Sequence, residues 1–191
     1  MERTLIGDLQ KHVGTEVSIS GWVDVRRDHG KLIFLVLRDR SGSVQSVVLP
    51  NHAEALEVAQ TLRPEWVVTI TGMVNARPEK MVNADEENGE IEIEATSIEV
   101  LSPAQELPFD LGAELNLDTL LDYRPLTLRR KRERAIFAVQ TGLSQAYRNS
   151  LVRQGFMEFQ APALVGSDAE GGSEVFRVEY FNGHTANLAT S

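Results

Sequence analysis

Phe34, Gln45 and the adjacent Arg26 and Arg27 have the side-chain types that an unstacked nucleobase and its phosphate require. An exposed aromatic ring stacks on a base, a contact worth roughly 1–3 kcal/mol. A glutamine amide both donates and accepts, so it can read a base edge. An arginine fork binds phosphate. Each residue also has an ordinary reading. Phe34 lies in the apolar run 32–37, where a phenylalanine more often belongs to a core. The two arginines alternate with Asp24 and Asp28, as on a solvated strand end. Further along, Glu170, Gly171 and Gly172 form a loop bearing one carboxylate. Such a loop can close over a small amino-bearing substrate, although a plain surface turn has the same sequence.

Other chemistries are excluded or unsupported. There is no cysteine, so disulfides and thiolate metal sites are ruled out. His12, His29, His52 and His184 show no metal-ligand spacing, and no metal site is expected. Neither a P-loop nor a dinucleotide-binding glycine fingerprint occurs.

The elements that must position these residues follow from hydrophobic period. Residues 3–12 read as a short helix closed by Gly14. Val17, Ile19, Gly21, Val23 and Val25 alternate with polar residues, which predicts one half-buried strand. After a turn at Asp28, His29 and Gly30, residues 32–37 make a second strand, apolar on both faces. Residues 44–49 make a third, stopped by Pro50. Residues 52–62 read as a helix with Ala55, Leu56, Ala59 and Leu62 on one stripe. Residues 66–76 and 91–101 complete five strands. Five strands with a helix between the third and fourth is the order of an OB-fold, and another barrel topology would show the same pattern. Gly21 and Gly72 suit the sharp bends of a small barrel.

Residues 102–118, with Pro103 and Pro108, read as a linker. The period then changes: Ile136, Val139, Leu143, Ala146 and Leu151 predict a helix over 128–154, led by the basic run Arg129–Arg134 and closed by Gly155. Residues 156–159 read as a short strand ended by Pro162, and the tail as a loop followed by a strand. This second unit is too short to close a core of its own.

The formal charge of −9 argues against a general nucleic-acid binder. Its distribution softens that. Residues 24–40 carry a local +2 and residues 121–160 a local +5, while acid concentrates at 85–99 and 106–118. Such a chain suits contact with a polyanion at chosen places. No apolar run approaches the roughly 20 residues that span a bilayer, and the first ten residues lack the apolar stretch of a signal peptide. A cytoplasmic protein is expected.

The stretch GWVDVRRDHGKLIFLVLRDRSGSVQ, residues 21–45, resembles the anticodon-binding module of aspartyl-tRNA synthetases. TGMVNARPEK (71–80) and GEIEIEATSIEVLSPAQELPF (89–109) resemble the rest of that module and its hinge. DYRPLTLRRKRERAIF (122–137) and GFMEFQAPALVGSDAEGGSEVFRVEYF (155–181) resemble the entry to a class II catalytic domain, its motif 1 and its substrate-covering loop. The resemblance implies an all-β OB-fold over 1–101, a hinge over 102–120, and the start of an α+β catalytic domain over 121–191. It implies that Phe34 stacks on the middle anticodon base, Gln45 bonds to it, Arg27 and Arg26 contact the anticodon loop, and Glu79 helps read a base. It places Pro162 at a homodimer interface and Ser167 and Glu170 beside L-aspartate. His29 lies where such enzymes that charge both aspartate and asparagine tRNAs often carry histidine, and this points to relaxed specificity. ATP and magnesium are implied for the full-length enzyme. Motifs 2 and 3 do not occur before Ser191, so this polypeptide alone is expected to make no adenylate. Pro125 departs from the family pattern. An asparaginyl or lysyl relative, and a non-catalytic OB protein for single-stranded nucleic acid, are the alternatives. The turn over 26–34 and the ARPEK block lean towards the aspartyl family.

Overall fold

The computed structural model describes residues 2–166 and 175–189. The chain divides into two compact units, residues 1–108 and 109–191.

In the first unit, alternation of apolar and polar residues produces five strands: β1 (Glu16–His29), β2 (Leu32–Arg38), β3 (Ser43–Val48), β4 (Val67–Ala76) and β5 (Ile91–Ser102). They close into a barrel in the order β1-β2-β3-β5-β4, with β4 returning to β1. Every pairing is antiparallel except the short parallel contact of β3 with β5. Closure removes the free edges that would otherwise invite further pairing. Inward residues such as Ile19, Leu35, Ile70 and Ile93 are fully buried. Helix α1 (Ala53–Thr61) contributes Ala55 and Ala59 to the same core, and a 3-10 turn, Ile6–His12, contributes Ile6 and Leu9. This is the OB-fold order that the sequence predicts. Gly21 and Gly72 serve close packing: a Cβ would lie 2.4 Å from the Arg38 carbonyl oxygen at the first and 2.2 Å from that of Glu94 at the second.

One strand departs from its predicted pattern. A β-bulge falls between Val23 and Val25, where β1 pairs with β2. An extra residue on one strand reverses which side chains face inward beyond it. Val17, Ile19 and Val23 are buried, whereas Val25 is only partly covered and pairs with Val36 on the outer face. The single alternation expected over residues 17–25 therefore breaks at Asp24.

Asp39 ties the barrel to the chain's beginning. Its carboxylate is fully buried and accepts from the backbone N–H groups of Ile6 (3.1 Å) and Ser41 (2.7 Å) and from the Ser41 hydroxyl. Burial pushes this carboxyl up. The hydrogen bonds from Ser41 and from the N–H groups of Ile6, Ser41 and Gly42 outweigh it and hold the group below its ordinary value.

The second unit holds α2 (Leu117–Asp122), α3 (Arg124–Thr127), the 23-residue α4 (Lys131–Arg153), and a sheet of β6 (Leu164–Val165), β8 (Thr185–Leu188) and β7 (Arg177–Glu179), in that order. The Asn116 side chain caps α2 by accepting from Thr119 N–H at 2.8 Å. Pro125 lies in the first turn of α3, where a fixed φ costs nothing. The helix predicted from residue 128 starts at Lys131 because Arg130 is extended and acts as its N-cap.

The strand expected over 156–159 does not form. Gly155 follows α4 with φ 87°, its N–H bonds the Val152 carbonyl, and Phe156 N–H bonds that of Leu151. This is a Schellman closure. The chain leaving it pairs with no strand among the described residues, and Phe156, Met157 and Phe159 lie exposed. Ile136, Val139, Leu143 and Tyr147 share one exposed face of α4, which buries none of its residues. Among the described residues no second layer covers that stripe. Among the described residues, no helix is long and apolar enough to cross a membrane.

Because the Asp39 carboxyl is held low when folded, its contribution to stability is complete above its unfolded value. It is lost as pH falls through the folded value, that is, below about 4. Asp39→Asn should flatten this dependence in urea titrations and cost about 1–3 kcal/mol at neutral pH.

Candidate nucleic-acid interface

The bulge at Asp24 assembles the candidate site. Beyond it, the outward residues of β1 are Val25, Arg27 and His29, and those of β2 are Leu32, Phe34, Val36 and Arg38. Arg27 lies directly opposite Phe34 in the ladder. Val36 lies opposite Gln45 of β3, so one outer surface carries the ring, the cation and the amide together.

Phe34 is half-buried, while its strand neighbours Ile33 and Leu35 are fully inside. Alternation thus separates an outward phenylalanine from the core, although the run is apolar on both faces. The His29 ring stands edge-on to the Phe34 ring, with centroids 5.5 Å apart and planes at 89°. This orientation fixes one side of Phe34 against a polar ring.

Arg27 is exposed, and its side chain makes no hydrogen bond or ion pair among the described residues. Arg26 goes elsewhere. Its Nε donates to the Ala59 carbonyl of α1 at 3.0 Å, and its head group lies 3.3 Å from Asp28. The Ala59 carbonyl falls in the last turn of α1, where acceptors lack helical partners, so Arg26 closes a helix end. Of the two adjacent arginines, only Arg27 stands with Phe34.

Gln45 is held in place. Its Nε2 donates to Glu92 of β5 at 3.3 Å, and Arg77, only 6% exposed, lies 3.7 Å from the same carboxylate. Glu94, the next outward residue of β5, accepts from Asn75 at 3.5 Å and sits 3.2 Å from His52 Nε2. Sequence reasoning missed Arg77 and Glu92, although the alternation of Glu92 and Glu94 with buried Ile91, Ile93 and Ala95 already turns them outward. Glu79 is exposed on the 3-10 turn Glu79–Met81 after β4, and no contact joins it to Phe34 or Gln45. Pro162 is exposed just before β6. Ser167 and Glu170 lie outside the described residues. Among the described residues, no three His, Asp or Glu side chains gather to hold a metal ion.

Residues 17–101, which include the whole of this surface, match the family model of the OB-fold nucleic acid binding domain, and residues 116–191 match that of the class II tRNA synthetases (D, K and N). The two matches follow one another along the chain. Similar proteins match across both segments. The aspartate–tRNA ligase of Oceanobacillus iheyensis is 40% identical over 89% of this chain, and the aspartate–tRNA(Asp/Asn) ligase of Parvibaculum lavamentivorans is 43% identical over 86%. The matched region spans only 29% and 28% of those relatives' length. The asparaginyl-tRNA synthetase of Pyrococcus horikoshii, solved with asparaginyl-adenylate, matches all of this chain and 43% of its own with TM-score 0.84 and 31% identity.

The two arginines of the OB domain should separate in urea denaturation. Arg26→Ala leaves a helix-end carbonyl unpaired and should cost about 0.5–1.5 kcal/mol, whereas Arg27→Ala should leave the unfolding midpoint unchanged.

Proposed function

We propose that the whole protein is an aspartate–tRNA ligase and that its OB domain reads the anticodon. The observation that carries this reading is the placement of Phe34 on the outer face, with Arg27 directly across the ladder and Gln45 on the adjacent strand. Three unstacked bases need a ring, an amide and a phosphate-binding cation within reach of one strand. Phe34 stacks on the middle base, the free oxygen of Gln45 accepts from a base edge, and Arg27 holds the backbone. Glu79 lies beyond β4, where it meets a flanking base. The shielding of Arg26 by α1 gives it a supporting part only.

The full-length reaction joins aspartate to ATP, releasing pyrophosphate. The aspartyl group then passes to the 3′ end of tRNA, releasing AMP. ATP, with magnesium on its phosphates, supplies the activation. The described residues provide no cluster to hold that metal, and no step is assigned to them. Ser167 and Glu170 serve the aspartate-covering loop. Pro162 and the exposed apolar side chains of Phe156, Met157 and Phe159 suit the homodimer contact. The protein works in the cytoplasm.

Two observations favour charging of both aspartate and asparagine tRNAs. His29 stands against the stacking ring, and the Parvibaculum relative is named for both. The asparaginyl alternative has the support of the Pyrococcus structure, but its 31% identity falls below the 40% and 43% of the aspartate ligases.

An anticodon stem-loop carrying GUC tests the reading. Binding should weaken with salt, fall roughly tenfold to a hundredfold with Phe34→Ala, and fall less with Gln45→Ala. Full affinity in Phe34→Ala would remove the stacking role. A GUU stem-loop should bind within a few-fold of GUC, and His29→Leu should widen the gap. A large GUC preference in the unmodified chain would count against dual specificity.

A further inference from the structure

Glu65 combines two unfavourable features. Its φ is 69°, in the left-handed region, and its side chain is only 2% exposed. A non-glycine residue there stores strain, and a buried carboxylate loses its hydration. Neither is explained by core packing, because a glycine would satisfy the backbone and an apolar pair would fill the space. Such outliers persist where surrounding structure over-determines them, and they point to a constraint on position.

The surroundings of Glu65 identify that constraint. Its carboxylate pairs with Arg38 Nη2. Arg38 Nε in turn donates to Asp24 at 3.1 Å, and its guanidinium lies over the Trp22 ring at 5.6 Å. The backbone joins from the other side: Glu65 N–H bonds the Val23 carbonyl at 2.7 Å, and Val23 N–H bonds that of Trp66 at 2.9 Å. Trp22, Val23 and Asp24 are therefore gripped on both edges at the bulge. Left ungripped, β1 could slip by one residue into continuous alternation. Arg27 and His29 would then turn inward, and Arg26 and Asp28 outward.

We infer that Arg38 and Glu65 are positioning residues for tRNA reading: they lock the bulge at Asp24 and so hold Arg27 and His29 on the face of Phe34. The inference rests on the anticodon reading proposed above. Neither residue needs to touch RNA. Their effect travels through the register of one strand, from the barrel end that holds Trp22 to the turn at Gly30.

Glu65→Gly provides the test, because glycine accepts the backbone conformation and removes the carboxylate together with its two methylenes. Arg38→Met attacks the same clamp from the other side and keeps most of the stem volume. Both are compared with Arg27→Ala, Phe34→Ala and the unmodified chain, at a temperature where each variant is folded by circular dichroism. The readouts are affinity for the GUC stem-loop and the slope of log affinity against log salt. Losing one phosphate contact to a single strand lowers that slope by about 0.7. Glu65→Gly and Arg38→Met should each show that flattened slope and an affinity loss of about tenfold. Combining either with Arg27→Ala should add little further loss. A folded Glu65→Gly with unchanged affinity and slope overturns the inference, as does a fully additive double variant. If Glu65→Gly is too unstable to assay, Arg38→Met decides by the same criteria. The Phe34→Ala arm separates the two levels. Its failure to weaken binding sinks the anticodon reading, whereas its success beside a silent Glu65→Gly sinks only the clamp.

Discussion

Side chains on a strand alternate, so a single extra residue decides which of them meet a ligand. In β1 that residue falls at the Val23–Val25 irregularity. Before it, β1 follows β4 and sends Val17, Ile19 and Val23 inward; after it, β1 follows β2 and sends Arg26 towards α1 and Arg27 outward. Phe34 and Gln45 are outward on ordinary alternation, and they need a cation beside them to hold a polyanion. The bulge provides it. The interface thus depends on backbone register more than on any individual side-chain contact.

The electrostatics of the face are arranged by pairing. The chain carries −9 overall, and two carboxylates, Glu92 and Glu94, stand on the outer side of β5. Each has a polar or basic neighbour: Gln45 and Arg77 at Glu92, His52 and Asn75 at Glu94. Among the described residues Arg27 has no acidic partner, so its charge is available to phosphate. This local allocation lets an acidic protein present a basic point where a single strand would pass.

Much of this was legible in the sequence, because period two and period 3.6 each leave a visible trace. All five barrel strands, α1 and α4 were placed from apolar spacing, and Gly155 marked the end of α4. The misreadings share a cause: they depend on partners distant in sequence. Asp24 looks like any polar member of an alternating strand, and its role emerges only with Arg38 and Glu65. Adjacent Arg26 and Arg27 are indistinguishable until Ala59 takes one of them. Residues 156–159 have strand-like composition, but strands need a ladder, and none lies beside them among the described residues. Their apolar side chains, with those on α4, make a surface suited to a covering layer.

We propose that nucleic acid lies on the outer face of β1, β2 and β3. Backbone amide NMR of the 191-residue chain, titrated with the GUC stem-loop, tests it most directly, since it maps contact without altering any residue. The largest shifts are expected at Arg27, His29, Phe34 and Gln45, with little change at Ala55 and Ala59 on α1. Shifts concentrated on α1 or along α4, with the outer sheet silent, would contradict it.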